Sequence, residues 1–560
     1  MAFKHGIYTT ESPTAIVPPV NIESGLIFCV GISASHLATK PAKPNTPTLI
    51  YELSEYVEKF GYSGDFKNFT NDEAASSQFQ LFGMSPIVFV NVLNPEKHFE
   101  KVTKTVGGIT STPATITDAV ISDTLKIISR DDLKKINLIK DTDYTADVQT
   151  TTDGDVTTID IKVGAILPSD NLEISYEYNG DICTVEKSVA SLPYELPAGA
   201  TNIDVKALVQ NENELIRDTD YTAAYNSDAE FIITILDATK IFKDTVEISY
   251  NKLAPEKVTP SDIIGGYDSI SGKYTGLECI EQVFPKFRLT PGIIIAPKFS
   301  TDVTVAAIMK AKTYNINGVF NCIALCDLPT DTIKNYTDAA EYKNIKNLLD
   351  TNLIACYPKI SLGGVQYHLS TQLASLMNKV DENQGDGIPY VSPSNKNLQM
   401  DSCCLEDGEE IFYSLEQANY LNSQGISTAL NFANGWTFWG NRTSLYPSST
   451  DTKDTFTSIR RTFHWLRNTI ILTYFSKVDA PINRRLIESI QDSIQIWLNG
   501  LTAKGVCTGA RIEFRTKENP TTSLLDGQIT FKIYFSPAIP AEKIIFDVEF
   551  DPSYLNNLFE

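Results

Sequence analysis

The chain has 560 residues, of which 42% are hydrophobic and 21% are charged, as in folded proteins with a sizeable buried core. Asp and Glu outnumber Lys and Arg by 69 to 47, which gives a formal net charge of −22. Nucleic-acid binding requires clustered cations, so this balance predicts no direct nucleic-acid partner. No apolar run is long enough to predict membrane insertion, and no secretory leader opens the sequence, so assembly in a cytoplasm is expected.

Residues that carry enzyme or cofactor chemistry are sparse and scattered. The 5 His residues show neither metal-ligand spacing nor a triad motif. The 9 Cys residues are odd in number and irregularly spaced, which favours buried free thiols over disulfides or a zinc site. The sequence therefore predicts no catalytic residue, no cofactor and no metal, and the chain is expected not to be an enzyme.

An extended arm is predicted over residues 1–22. Pro13, Pro18 and Pro19 interrupt it, and it has no apolar periodicity typical of a helix. Such a segment cannot bury itself, so it must lie against another surface.

A mixed α/β body is predicted from two separate stretches, residues 23–100 and 258–445. Buried strands alternate there with helices, an order typical of parallel α/β units. The predicted elements are strands over 26–31, 87–92, 292–297 and 320–325, and helices over 70–83, 302–315 and 331–353.

Residues 101–257 are predicted to form an all-β domain inserted into this body. Asp141–Ala146 (DTDYTA) recurs as Asp218–Ala223, and Leu172–Tyr176 (LEISY) is similar to Val246–Tyr250 (VEISY). The two spacings nearly agree, so we expect two β-sandwich-like repeats. Calcium binding by the acidic DTDYT turns is an alternative role, although the ligand ladder of an EF-hand is missing.

An aromatic group, Trp436 and Trp439 with Arg442, precedes the last part of the chain. Its side chains either pack at a domain junction or stack on a sugar or a base.

Residues 446–560 are predicted to form a C-terminal domain with an augmentable β-sheet. A helix over 481–501 has one apolar face, and strands over 528–535 and 544–550 alternate apolar with polar residues. An amphipathic strand with an open edge requires a partner. The helix face comprises Ile482, Leu486, Ile490, Ile494, Trp497 and Leu501.

Several segments together resemble contractile tail sheath proteins of bacteriophages, phage-tail-like bacteriocins and injection systems. They follow the order of that family and cover most of residues 1–100 and 258–560, whereas the insert lies outside the match. The segments are HGIYTTE, LIFCVG, SPIVFVNVL, IIGGYDSISGKYTGLE, TPGIIIAPKFS, NGWTFWGNRT, APINRRLIESIQDSIQIWLNGLTAKGVCTGARIEF and FSPAIPAEKIIFDVEFD.

The resemblance implies a structural subunit that polymerises with itself as stacked hexameric rings around an inner tail tube protein. Contraction of the polymer would drive the tube through a target cell envelope. Baseplate and tail terminator proteins are further implied partners, and the assembled product would be a virion tail or a released phage-tail-like particle. An alternative function is a surface adhesin or tail-fibre-like protein that binds carbohydrate through the β repeats.

The resemblance also implies that neighbouring copies exchange strands, which is β-augmentation. The predicted tube or neighbour contacts are Arg484 and Arg485, with local pairing to Glu488 or Asp492 as the alternative. The exchanged strands would contain Ile7, Tyr8 and Thr9 in one arm, and Ile544, Phe546, Val548 and Phe550 in the other.

Overall fold

The computed structural model describes residues 22, 24–137, 142, 144–151, 154–162, 171–178, 181–188, 194–195, 201–226 and 228–558. The chain divides into two units, Met1–His98 with Pro255–Glu560 and Phe99–Ala254. The predicted insert, residues 101–257, begins and ends close to the bounds of the second unit. The predicted mixed α/β fold is confirmed, while a further division between residues 445 and 446 stays a prediction.

The first unit is built on a nine-stranded sheet in the order β2-β3-β1-β18-β19-β20-β26-β27-β23. Its six inner strands run parallel, and the outer strands pair antiparallel. Inner strands are continuous apolar runs because both faces of a parallel sheet are covered. The bounds are Ile27–Gly31 (β1), Thr48–Ile50 (β2), Ile87–Asn91 (β3), Ile293–Ile295 (β18), Ile323–Asp327 (β19), Leu353–Cys356 (β20), Lys396–Asn397 (β23), Ile426–Asn431 (β26) and Trp436–Trp439 (β27).

Three smaller sheets complete the strands of the first unit. They are a four-stranded sheet, the hairpin β16–β17 and the two-stranded sheet β28–β29. Their bounds are Gly266–Asp268 (β16), Lys273–Thr275 (β17), Lys359–Leu362 (β21), Val365–Tyr367 (β22), Ser402–Cys404 (β24), Glu410–Ile411 (β25), Cys507–Phe514 (β28) and Phe531–Pro537 (β29).

Helix α7 packs against β18 and β19 of the large sheet and is buried along most of its length. Within the described ranges, no helix combines the length and apolar composition that crossing a bilayer requires. The helices are Leu53–Phe60 (α1), Thr70–Ala75 (α2), Pro260–Ile264 (α3), Val283–Phe287 (α4), Val303–Lys312 (α5), Tyr336–Ile345 (α6), Leu369–Glu382 (α7), Leu415–Ser423 (α8), Thr452–Thr455 (α9), Thr457–Tyr474 (α10), Arg484–Ala503 (α11) and Thr521–Leu525 (α12).

Most predicted strands and helices of the body are confirmed, with two differences in the helices. The helix predicted over 70–83 starts as α2 and continues as a π-helical turn over Ser76–Leu81. The helix predicted over 331–353 is wrong at both ends, since α6 is shorter and Leu353–Cys356 is a strand. Asn347 has a φ of 53°, in the left-handed region that an α-helix cannot continue through.

The second unit contains a six-stranded sheet, β10-β9-β12-β6-β15-β4, and two three-stranded sheets, β11-β8-β7 and β13-β14-β5. The repeated motifs occupy equivalent strands: β7 and β13 begin at Tyr144 and Tyr221, and LEISY and VEISY lie in β9 and β15. The bounds are Phe99–Gly107 (β4), Ala114–Ile116 (β5), Lys126–Asn137 (β6), Tyr144–Thr151 (β7), Gly154–Ile161 (β8), Asn171–Tyr178 (β9), Asp181–Ser188 (β10), Tyr194–Glu195 (β11), Thr201–Glu214 (β12), Tyr221–Tyr225 (β13), Phe231–Ile235 (β14) and Thr245–Leu253 (β15).

The second DTDYT turn uses its acidic side chain within the fold. Asp220 is buried, accepts a hydrogen bond from the backbone N–H of Ile216 at 2.8 Å, and pairs with Lys240 at 2.6 Å. In the described part of the chain, no three His, Cys, Asp or Glu residues form a group that could hold a metal ion. The calcium alternative therefore gains no support from this turn.

A buried lysine joins α6 to the loops after α8 and β27. Lys343 is fully buried, and its Nζ donates to the carbonyl oxygens of Gln424, Ser444 and Tyr446, the latter two at 2.9 Å. A buried cation of this kind is stabilising only while its acceptors remain in place.

We expect Lys343→Met to lower the free energy of unfolding by about 3 kcal/mol, because three carbonyl oxygens lose a buried donor. Urea unfolding of the unassembled subunit, followed by tryptophan fluorescence, measures the change. Lys346→Met, at an exposed position beside the same helix, serves as the matched control and should change stability by less than about 0.5 kcal/mol. Equal effects of the two substitutions would contradict this role of Lys343.

Candidate subunit interface

The C-terminal part of the first unit contains a β-sheet of only two strands. β28 and β29 pair antiparallel from Cys507↔Pro537 to Phe514↔Phe531. In the described residues, neither strand pairs with a third. Each strand therefore has one edge whose backbone N–H and C=O groups are not used in a ladder.

Helix α11 covers one face of this sheet. The helix begins at Arg484, three residues later than predicted, because the side chain of Asn483 accepts from the backbone N–H of Leu486 at 2.8 Å and caps it. Its predicted apolar face packs against β28 and β29, except that Ile482 precedes the helix and is exposed. The helix and the sheet share a hydrophobic cluster with neighbouring residues. Its buried members are Ile22, Ile388, Trp465, Leu466, Ile490, Ile494, Leu498, Leu501, Val506, Cys507 and Ile512.

The side chain of Gln495 covers the middle of the outer edge of β28. Its Oε1 accepts from the backbone N–H of Ile512 at 3.1 Å, and its Nε2 donates to the carbonyl of Ala510 at 3.4 Å. Since backbone groups alternate along an antiparallel strand, the Arg511–Tyr534 pair is bonded across the sheet. The backbone groups of Ile533 then point away from β28, so the outer edge of β29 is the open one.

The face of the sheet opposite α11 carries a cluster of charges around one tyrosine. The Arg511 guanidinium lies 3.9 Å from the centre of the Tyr534 ring, Arg515 lies at 5.3 Å and the Lys532 ammonium at 5.4 Å. Hydrogen bonds from Arg511 and Arg515 lower the pKa of Glu513 below its usual value. The cluster is exposed, and its cations exceed the local carboxylates, in contrast to the acidic chain as a whole.

Residues 543–558 form a segment that we call the C-terminal arm. The strand predicted over Ile544–Phe550 is not formed within the chain, because no neighbouring strand pairs with it in the described structure. Its predicted exchange residues Ile544, Phe546, Val548 and Phe550 are 70–88% exposed. The arm therefore presents a row of large apolar side chains to solvent.

The base of the arm is tied to the body by one ion pair. Arg442 makes a two-pronged contact with Glu542, at 3.0 Å to Oε1 and 2.5 Å to Oε2. The guanidinium is also stacked 3.6 Å from the ring centre of Phe456 and 4.7 Å from that of Tyr446. Arg442 thus packs against two aromatic rings, whereas the choice between a domain junction and a sugar or base site stays open for the aromatic group.

The predicted N-terminal exchange residues, Ile7, Tyr8 and Thr9, lie outside the described residues. The chain is anchored to the first unit at Ile22 and Ser24. Ile22 is buried beside Trp465, and the Ser24 hydroxyl donates to Asp381 at 2.8 Å. Asp381 forms a buried ion pair with Arg461 at 2.5 Å. Burial raises the pKa of Asp381, and the neighbouring guanidinium of Arg461 opposes that shift.

The predicted tube-contact residues lie in the first turn of α11. Arg484 is 91% exposed and pairs with Glu488 at 2.6 Å, which is the local pairing considered as the alternative. Arg485 is also exposed. These two residues lie on a different element from the exchange residues of the C-terminal arm.

Three groups at this site were missed by sequence reasoning: Gln495, Glu542 and the pair Asp381–Arg461. A glutamine on a polar helix side and a glutamate beside a lysine show no distinguishing pattern. Arg461 offered a signal, since it lies in a run with Ile459 and Trp465 on a buried helix side. Its partner, 80 residues away in sequence, could not be read from that run.

The chain is similar in sequence to tail sheath proteins of two bacteriophages. The chain is 27% identical over 331 residues to the tail sheath protein of Burkholderia phage BcepMu, covering 55% of this chain and 65% of that protein. It is 26% identical over 309 residues to the major tail sheath protein of Serratia phage KSP20, covering 54% and 74%. No family profile matches the chain.

One solved structure has a similar fold. The helical sheath of the anti-feeding prophage in its contracted state aligns with a TM-score of 0.51 at 13% identity, over 98% of this chain and all of that one. This likeness shows a shared fold. The predicted resemblance to tail sheath proteins is confirmed by the two phage relatives.

We expect Arg442→Ala to accelerate trypsin cleavage after Lys543 about fivefold, because losing an ion pair of about 1 kcal/mol frees the base of the arm. Timed digestion of the unassembled subunit, with mass spectrometry of the released peptide, measures this rate. Arg467→Ala, an exposed arginine on α10, is the control and should leave the rate unchanged. If both substitutions give the same cleavage rate, the ion pair between Arg442 and Glu542 does not hold the base of the arm.

Proposed function

We propose that this chain is the structural subunit of a contractile tail sheath and that it polymerises with copies of itself without enzymatic activity. The observation that carries the proposal is that one chain has both an open sheet edge and an exposed amphipathic arm. An edge strand and an extended segment of this kind bind each other by β-augmentation. In a polymer, each copy would donate its arm and accept the arm of a neighbour.

The energetics of one such joint fit a structural lattice. About five backbone hydrogen bonds contribute roughly 1 kcal/mol each. Burial of the apolar arm side chains adds about 2 kcal/mol for each residue. From this sum the joint must offset the ordering of the arm, which costs about 1–2 kcal/mol per residue. The net affinity of one joint is modest, so stability comes from repetition over the lattice.

The second arm, with Ile7, Tyr8 and Thr9, is proposed to add a further strand to another copy. Anchoring of Ser24 by Asp381 and of Glu542 by Arg442 supports this arrangement, because both arms would leave the body from held positions. Linked in this way, copies could form stacked hexameric rings around an inner tube protein. Tail terminator and baseplate proteins would close the two ends.

Contraction is proposed as a change between two packed states of the lattice. Bodies would move while the exchanged strands keep neighbours connected, and the difference in buried surface would drive the tube through a target envelope. We propose assembly in the cytoplasm of a bacterial host and a place in a virion tail or a released tail-like particle. No observation favours the adhesin alternative.

Deleting residues 543–560 should leave a folded subunit that no longer forms sheaths, because the donor strand is lost while the core around α11 remains. Negative-stain microscopy of wild-type and truncated protein, with circular dichroism as the folding check, tests this. Removing residues 1–20 should have the same effect. Normal cylinders formed by either truncated protein would refute strand exchange by that arm.

Arg484 and Arg485 are proposed to face the tube or a neighbouring copy. Replacing both with Glu should reduce co-sedimentation of assembled sheath with tube at least tenfold, because a surface that complements two arginines would then face two carboxylates. Glu488→Gln is the control, since it removes the local partner of Arg484 and retains both cations. Unchanged tube binding and assembly after the double replacement would leave only the local pairing.

A further inference from the structure

The cation cluster around Tyr534 lies beside the open edge of β29. Side chains alternate along a strand, so Phe531, Ile533 and Phe535 pack towards the core while Lys532 and Tyr534 lie on the opposite face. Arg511 on β28 reaches across the sheet to stack on Tyr534. The cationic side chains therefore lie next to β29, the strand that has the open edge.

The C-terminal arm has the complementary pattern. Its apolar residues Phe546, Val548 and Phe550 alternate with acidic ones, which are Asp547, Glu549 and Asp551. In an extended strand these two sets lie on opposite faces. Residues 546–551 are thus apolar on one face and acidic on the other, whereas Ile545 just before them has the parity of the acidic residues.

If the arm pairs along β29, each face of the arm must continue one face of the β28–β29 sheet. If the apolar residues of the arm continue the apolar face of Phe531, Ile533 and Phe535, its carboxylates must lie on the face with the cations. A two-residue period gives this result whether the arm runs parallel or antiparallel to β29. A shift of the pairing by one residue would place carboxylates over the core and apolar side chains among the cations.

We propose that the Arg511–Arg515–Lys532 cluster is the docking surface for the acidic face of the C-terminal arm of a second copy, and that it sets the face and register of the exchanged strand. This inference rests on the proposed strand exchange. It selects the C-terminal arm for the edge of β29, since the first ten residues of the chain contain Lys4 and His5 but no Asp or Glu.

The cluster has the exposure and charge that this role requires. Arg511, Arg515 and Lys532 are 58%, 39% and 45% exposed, so they can reach an added strand. Glu513 pairs with Arg511 and Arg515. Glu518 pairs with Arg515 and Lys532, so the cluster has one more cation than carboxylates. Opposite charges facing each other across neighbouring strands are stabilising, and like charges are destabilising.

Charge exchange between the two surfaces tests the proposal in the full-length protein. One variant carries Arg511→Glu and Lys532→Glu, a second carries Asp547→Lys and Glu549→Lys, and a third combines all four. Sheaths are assembled at low salt, and the NaCl concentration at which half of them dissociate is measured by sedimentation. Lys346→Glu with Lys453→Glu, two exposed lysines elsewhere on the unit, is the matched control.

We expect each two-residue variant to lower that salt concentration at least twofold and the four-residue variant to restore it, since the pairing is then re-formed with reversed signs. Two-residue variants that behave like the control, or a four-residue variant that is weaker than both, would overturn the docking surface. In either case wild-type sheaths still form, so the proposed function stands. Failure of wild-type protein to form any sheath refutes the proposed function instead.

Disulfide cross-linking supplies a readout that does not depend on stability. Lys532→Cys is combined in turn with Asp547→Cys, Glu549→Cys or Val548→Cys, with Cys183 replaced by Ser because the other native thiols are buried. A disulfide requires Cβ atoms about 4 Å apart, which only side chains on one face achieve. Linked subunits are expected with an acidic position and not with Val548. Cross-linking through Val548 alone would overturn the assigned face.

Discussion

The hydrogen-bonding capacity of an unfinished β-sheet is the constraint on which the rest of the interface depends. A sheet of two strands satisfies only half of its backbone groups, and Gln495 covers part of the edge of β28. The edge of β29 keeps its donors and acceptors free in the described chain. Burying backbone groups without partners costs free energy, so burying this edge in an assembly requires an added strand.

The first unit holds the chain at the two points from which the proposed arms leave it. Arg442 stacks on Phe456 and binds Glu542. Arg461 is held by Asp381, which also binds Ser24. In the proposed exchange, an arm with a fixed base would search a smaller volume than a free one, which would raise its effective concentration at a neighbouring sheet.

Hydrophobic periodicity predicted much of the first unit, because its signals are local. Continuous apolar runs predicted the buried strands β1 and β3, and helical spacing predicted α11. A single side chain determines where a helix begins, so α11 starts after its cap Asn483 and not at Pro481 as predicted. The end of α6 depended on the left-handed backbone at Asn347, for which an apolar pattern carries no signal.

By itself, the sequence determined the apolar and acidic faces of the C-terminal arm, since a period of two residues is a property of the chain. It also determined the resemblance to tail sheath proteins, through short segments in a fixed order. Only the tertiary structure decided what surrounds Tyr534, what covers the edge of β28 and what holds Glu542. These contacts join residues far apart in the chain, and their partners are selected by folding rather than by any local pattern.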